Sequence, residues 1–269
     1  MTVAARIGPL LPARLVGAVA HAVYPRFEPE LARLADFCPA DCDTALDVGG
    51  WYGPWSRRLA GRARRVIAVE PVPHLARALD AATPGNVRVV QAAATDRPGT
   101  ARLWLPRGGR ATRGDRGVSS LIRRDDLHTQ ALDVPCLTLD GLGLRDAGRV
   151  DFVKIDVDGN ELPVLRGAAA LLDRDHPSLI VELEARIQPT APVVDLLAEH
   201  GYRGWVLPGH SWVPLDDFDL AAHQAGTAHV VRRGLLRRVL PFKGPRYVNS
   251  VLFLAHGRRP GRAAARGQG

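Results

Sequence analysis

From residue 44 onward, short apolar runs alternate with segments whose apolar positions recur every three to four residues. TALDVG reads as a buried strand, followed by a turn and a helix over PWSRRLAGR. VIAVE is a second strand, and PHLARALDAA a second helix with Pro73 at its start. NVRVVQAAA has period-two character and predicts a third strand; ARLWLP predicts a short extended segment. VPCLTLDGL, VDFVKIDVDG and SLIVELE add three more apolar strands, with a helix ELPVLRGAAALL between the last two. APVVDLLAEHG is a helix stopped by Gly201, and NSVLFLAH closes the chain as a strand. Ahead of all this, EPELARLADF (28–37) has helical spacing, and PADCD breaks it.

Strands alternating with helices predict an α/β fold with a doubly wound, mainly parallel sheet. The apolar runs do not alternate cleanly with polar residues, which suits strands covered on both faces. Three parts follow: a helical extension over 1–43, a domain over 44–256, and a basic tail over 257–269 expected to be disordered. Residues 8–23 (GPLLPARLVGAVAHAV) read better as an amphipathic helix than as a signal peptide, because Pro12, Arg14 and His21 interrupt the apolar region. Residues 106–130 read as a long loop rich in Gly, Arg, Asp and Ser.

Composition changes this picture little. At 46% hydrophobic and 24% charged, the chain of 269 residues is ordinary for a soluble globular protein. No apolar run is long enough to span a membrane, and a cytoplasmic setting is expected. Cys38, Cys42 and Cys136 form no zinc spacing and are expected to be reduced thiols. The net charge of +8 invites a nucleic-acid partner. Much of that excess lies in VRRGLLRR and in the tail, so no nucleic acid is expected. The basic stretch VVRRGLLRRVLPFKG (230–244) permits peripheral contact with a membrane or an acidic carrier protein, and the size of the chain permits a homodimer.

In a doubly wound sheet, ligands bind at the carboxyl ends of the strands. The first strand ends in LDVGGWYGPW. It has no lysine for a phosphate loop, and Trp51 stands where a dinucleotide fingerprint needs its middle glycine. The D-x-G-x-x-x-G spacing suits a small zwitterionic or nucleoside ligand beside Asp47. The second strand ends in Glu70-Pro71, where a carboxylate can accept both hydroxyls of a ribose. Ala92, Ala93 and Ala94 leave room for a flat base. Together these favour S-adenosylmethionine over a nicotinamide dinucleotide. Lys154, Asp156 and Asp158 follow the next strand, with Asp156 at the mouth of the site. Glu161 is equally a helix cap paired with Asp158 or a site residue, and a helix start after Asp158 suits Pro163 better. Glu182 and Glu184 point the same way, toward a base role or toward Lys154 or Arg166.

These motifs, in order from Thr44 to His256, resemble the FkbM-type S-adenosylmethionine-dependent O-methyltransferases, above all KIDVDGNELPVLRGA following Glu-Pro-x-Pro. The resemblance implies a Rossmann-like class I methyltransferase sheet of seven strands with an antiparallel last strand. It implies S-adenosylmethionine as cofactor and S-adenosylhomocysteine as product. Asp47 and Gly49, within the turn Gly50-Trp51-Tyr52-Gly53, would line the methionine part. Glu70 with Pro71 would take the ribose, Ala93 and Ala94 the adenine, and Asp156 the methyl or the acceptor hydroxyl. Where the family carries Ala-Asn, this chain has Gly50-Trp51; where the family has D-V-E-G, it has D-V-D-G.

The expected reaction is O-methylation of a sugar, polyketide or other secondary-metabolite or glycan hydroxyl. Asp156, His128 and Glu182 are the catalytic candidates, with Asp156 favoured as base. Asp156, Asp158 and Glu182 also offer oxygen ligands to Mg2+. His74, His176 and His200 read as structural or solvated. Trp205 and Trp212 either stack on the acceptor or pack a lid over 207–219. The alternatives are a non-catalytic scaffold with the same fold, suggested by the missing Ala-Asn, and, ranked last, an RNA methyltransferase.

Overall fold

A computed structural model describes residues 28–106, 120–121, 129–144, 148–232, 246–255 and 257–261. The expectations for 1–27, for 107–119 with His128, for most of 230–244 and for the tail beyond Gly261 lie outside these residues.

The main sheet runs β10-β9-β11-β8-β7-β1-β2-β3. Its strands are β1 (Cys42–Val48), β2 (Ala63–Val69), β3 (Val87–Val90), β7 (Val150–Ile155), β8 (Ser178–Glu182), β9 (Tyr202–Val206), β10 (Val213–Pro214) and β11 (Ser250–Ala255). β3, β2, β1, β7 and β8 are parallel, and β11 is antiparallel to both β8 and β9. Apart from the two-residue edge strand β10, this is the expected sheet of seven strands with an antiparallel last strand. A smaller sheet orders β4 (Ala93–Ala94), β6 (Thr129–Leu137) and β5 (Gly99–Pro106).

The strand order reverses between β1 and β7. β1 leads outward to β2 and β3, and the chain then returns to pair β7 on the other side of β1. Such a switch point opens a crevice at the carboxyl ends of the two strands.

The sheet is covered on both faces, which explains the continuous apolar runs. Leu46, Val48, Val153, Ile155, Val181 and Phe253 face one core with α4 (Glu161–Arg166), α5 (Ala169–Asp175), α6 (Ala191–Glu199) and α7 (Leu220–Arg232). Ala45, Phe152, Ile180 and Leu252 face the other, under α1 (Pro29–Ala32), α2 (Pro54–Ala60) and α3 (Pro73–Ala82). There Trp55 stacks on Phe152 with ring centres 5.9 Å apart. On the second face the alternation breaks at the carboxyl end. Asp47, Lys154 and Glu182 replace apolar residues there.

Several elements differ from the sequence expectation. EPELARLADF forms only one α-turn and a short 3-10 turn, Leu34–Asp36, in place of one helix over 28–37. NVRVVQAAA does not stay in one strand: β3 stops at Val90, and Ala93–Ala94 join the smaller sheet beside Cys136 and Leu137. VPCL likewise belongs to the smaller sheet. ELPVLRGAAALL is broken into α4 and α5 around Gly167, where a Cβ would lie 2.1 Å from the Thr95 carbonyl oxygen. Only glycine fits against that carbonyl. β9 and α7 were not legible as elements, because Tyr202–Val206 sits among turn residues and 220–232 has a weak apolar stripe.

Candidate active site

At the end of β1 the chain turns through Gly49, which has φ +85°. A Cβ there would lie 1.9 Å from the carbonyl oxygen of Asp156. The first glycine therefore lets the backbone at the end of β7 come close, which is one of the two uses a strand-end glycine has. The Asp156 N–H donates to the Val48 carbonyl at 2.9 Å, and the Gly49 N–H to Val69 at 2.9 Å. The ends of β7, β1 and β2 are thus joined through the peptide group between Val48 and Gly49.

Trp51 follows with φ +47°, an uncommon conformation for a bulky residue. Its N–H donates to Glu70 Oε2 at 2.9 Å. Its ring meets Tyr52 edge-on, 4.9 Å between centres, and both pack against Val72, Leu75 and Leu103. The aromatics at the glycine turn thus anchor it to the smaller sheet.

Glu70 is 4% exposed. Its Oε1 accepts from the Val72 N–H at 2.9 Å. Burial pushes its carboxyl up to about 7, although the two backbone N–H groups favour the charged form. Ala93 and Ala94 are buried, and the Ala94 carbonyl accepts from the Asn160 amide at 2.9 Å. Asn160 so ties β4 to the loop after β7. Its neighbourhood is not apparent from sequence, since the contact spans 66 positions.

Beneath the crevice lies a charged cluster. Lys154, 2% exposed, holds Asp156 Oδ2 at 2.8 Å and lies 6.0 Å from the centre of the Trp55 ring. Burial opposes its charge, but Asp156, Glu28, Asp47 and Glu182 outweigh burial and keep the ammonium above the ordinary lysine range. Asp47 is 1% exposed and accepts from the Ser56 hydroxyl; burial raises its carboxyl, with Lys154 working the other way. Glu28 accepts from Trp55 Nε1 at 2.5 Å, and burial raises it too, against the pull of Lys154. Glu182 is raised well above the ordinary range, first by burial and then by Asp156. The carboxylate oxygens of Glu28, Asp156 and Glu182 lie within 4.8 Å of one another.

Asp156, Asp158, Glu161, Glu182, Glu184 and Gln188 line a cleft at the ends of β7 and β8. Asp158 has φ +48°, so it does not continue the strand face of Lys154 and Asp156. Ser120 clamps this turn by donating its hydroxyl to the Asp158 carbonyl at 2.6 Å. Helix α4 starts at Glu161 with Asn160 as N-cap, so Asp158 and Glu161 make no capping box. Glu161 instead accepts from the Gly159 N–H at 3.1 Å and from Gln188, and burial raises it to about 7. Glu184 pairs with Arg186 at 2.8 Å, not with Arg166 or Lys154, and accepts from the Tyr247 hydroxyl at 2.6 Å. Asn249 donates to both Glu182 and Glu184.

The structure thus brings together Asp47, Gly49, Gly50, Trp51, Gly53, Glu70, Pro71, Ala93, Ala94, Asp156 and Glu182 around the ends of β1, β2, β4, β7 and β8. His128 lies outside the described residues. His200, beside Asp173 at 2.6 Å, and His176, at the end of α5, stand on the helical side. Trp205 is a β9 residue on the second core. Trp212 donates to Asp36 at 2.9 Å and meets Phe37 edge-on, so it packs against the N-terminal segment. Glu28, Ser56, Ser120, Asn160 and Asn249 were not singled out from sequence; all but Ser56 act across a long separation.

Residues 41–203 match the methyltransferase FkbM domain. No curated protein matches the chain in sequence. Among solved structures the chain is similar to a methyltransferase FkbM from Methylobacillus flagellatus KT, at 13% identity over 88% of this chain and 60% of that one, with a TM-score of 0.46. It therefore spans less than two thirds of that protein's length. It is also similar to a precorrin-6y C5,15-methyltransferase from Geobacter metallireducens GS-15, at 12% identity, 84% and 85% coverage and a TM-score of 0.44. An rRNA methylase from Streptococcus thermophilus stands at 9% identity, 84% and 94% coverage and 0.44.

Proposed function

The chain belongs to the FkbM methyltransferase family, and on that premise we propose that it transfers a methyl group from S-adenosylmethionine to a hydroxyl of a sugar, polyketide or other secondary-metabolite or glycan acceptor. The observation that carries the reading is the meeting of Gly49 and Asp156 at the switch point, beside a buried carboxylate at the next strand end. Residues 44–256 would form the methyl-transfer domain, working in the cytoplasm on a small molecule or glycan. No helix among the described residues is long and apolar enough to cross a membrane.

The residues present fit the cofactor. Asp47, Gly49, Gly50, Trp51 and Gly53 would hold its methionine end, and Ala93 and Ala94 would leave space for the adenine. Glu70 spends one hydrogen bond per oxygen on Trp51 and Val72. Each oxygen keeps a lone pair for a ribose hydroxyl. A diol donating there favours the carboxylate, against the burial that raises it. When bound, the cofactor supplies a methyl on a sulfonium, already activated for in-line displacement. The chain's part is to align the acceptor oxygen, exclude water and take the proton. Lys154 fixes Asp156 by one oxygen, and the other would accept the hydroxyl proton. Glu182 borders the same cleft.

Transfer of a labelled methyl group from S-adenosylmethionine to a panel of sugar and macrolide acceptors, followed by mass spectrometry, tests this reading. A methyl ether with stoichiometric S-adenosylhomocysteine is expected. Label found only on nitrogen or on RNA would contradict it, and cofactor binding without turnover across wider panels would favour the scaffold alternative. Asp156→Asn is expected to lower kcat about 100-fold, the scale of a lost general base, with cofactor Kd little changed. An unchanged kcat would remove Asp156 from proton transfer.

A further inference from the structure

Glu28 lies outside the family-matched residues, yet its carboxylate reaches the centre of the site. We propose that Glu28, Asp156 and Glu182, with the Ser250 hydroxyl, form a site for a hard divalent cation of the Ca2+ or Mn2+ kind. The proposal does not depend on methyl transfer; with the ion bound, the second Asp156 oxygen is its ligand and does not take the acceptor's proton.

The geometry is the first ground. The three carboxylates offer oxygens that all lie within 4.8 Å of one another. Ligands on opposite sides of Ca2+ stand about 4.6–5.2 Å apart, and those across Mg2+ about 4.2 Å. Three oxygens cannot all be pairwise opposite, and separations of up to 4.8 Å fall within the span from side-by-side to opposite ligands on such an ion. Oxygen-only donors select hard cations over zinc or copper.

The frame is rigid. Asp156 and Glu182 sit at the ends of the paired strands β7 and β8, level with each other one position past Ile155↔Val181. Glu28 immediately precedes α1, and Glu30 in that turn, 0% exposed, is gripped by Arg246 through both oxygens at 2.6 Å. The Trp55 indole N–H fixes the Glu28 carboxylate. The Lys154 ammonium engages Asp156 through Oδ2, leaving the second oxygen of that carboxylate available.

Ser250 is the independent observation. It is directly opposite Glu182 in the β8–β11 pair, so the two side chains share a face. It is 1% exposed, and among the described residues its hydroxyl has no hydrogen-bond partner. A buried unmatched hydroxyl is costly, and a cation or its water would satisfy it. Charge agrees: Glu28, Asp47, Asp156 and Glu182 surround a single ammonium, and buried carboxylate in excess needs either protons or a second cation. The set differs from the one expected from sequence, because Glu28 takes the place of Asp158, whose turn is held by Ser120 instead.

Titration of the full chain with CaCl2 by calorimetry and with MnCl2 by electron paramagnetic resonance decides the matter at pH 7.5. One equivalent is expected to bind with Kd below about 1 mM. Glu28→Gln and Glu182→Gln are each expected to weaken it at least about tenfold, and Asp158→Asn to leave it within about twofold. Should Glu28→Gln fail to fold, Glu182→Gln with Ser250→Ala carries the same test. No binding up to 1 mM in the wild type would overturn the proposal and leave protons as the neutralising species. Binding that survives Glu28→Gln or Glu182→Gln would overturn it as well, by placing the ion elsewhere.

Discussion

Gly49→Ala is expected to cost more than about 4 kcal/mol of stability, or to abolish soluble expression. Two independent terms add. Alanine at φ +85° carries the left-handed penalty, on the order of 1–2 kcal/mol. Its Cβ would also lie 1.9 Å from a backbone oxygen, that of Asp156, which no side-chain rotation can relieve. Relief requires β1 and β7 to part, which breaks the Asp156–Val48 hydrogen bond and disturbs those from Gly49 and Gly50 to Val69. Close-packed strands have few ways to absorb such a shift. Denaturant unfolding measures the loss, and a change below about 1 kcal/mol would show that the β1–β7 approach is looser than described. A folded variant should also lose affinity for S-adenosylhomocysteine, since the same movement displaces the glycine turn that would hold its methionine end.

Lys154→Met is expected to destabilise the protein by about 4 kcal/mol at pH 8, with a fall in Tm of about 10 °C. Lys154 is the cation shared by four carboxylates, and removing it leaves buried charge unpaired. The loss must depend on pH. Glu28, Asp47 and Glu182 already have raised carboxyls, first of all through burial. For such acids the folded state binds protons more tightly than the unfolded chain. Their stabilising contribution is complete below the ordinary carboxyl range and is lost as pH rises through the raised values. Without Lys154 those values rise further, so the deficit should open above about pH 5 and nearly close below it. The ammonium's own contribution, with its titration moved upward, persists through neutral pH. A deficit independent of pH from 5 to 8, read from thermal melts, would contradict the shared-counterion account.

Much of this architecture was legible because period and punctuation agreed. PHLARALDAA matches α3 residue for residue, with proline at its first position, and LDVGG ends β1 where the strand order reverses. The charged positions at strand ends could be read for the same reason: an acid closing an apolar run has few structural roles. What escaped was set by contacts at long range. Glu28 reaches the cluster only through α1 and the Trp55 indole. Gly167 stands at the break in a pattern that is helical by spacing, and the Thr95 carbonyl beside it leaves no room for a side chain there. NVRVVQAAA reads as one strand, but its second half pairs with Cys136 and Leu137 in another sheet. None of these leaves a local trace in the residues involved.

The central claim is that the crevice between β1 and β7 binds the adenosyl cofactor with Glu70 on the ribose. Calorimetric titration of the full chain with S-adenosylhomocysteine, beside the Glu70→Gln variant, tests it most directly. The account predicts one equivalent bound with a Kd in the range of about 1 µM to 1 mM typical of enzyme ligands, weakened at least about tenfold in the variant. Absence of binding at about 1 mM, or binding indifferent to Glu70→Gln, would contradict it.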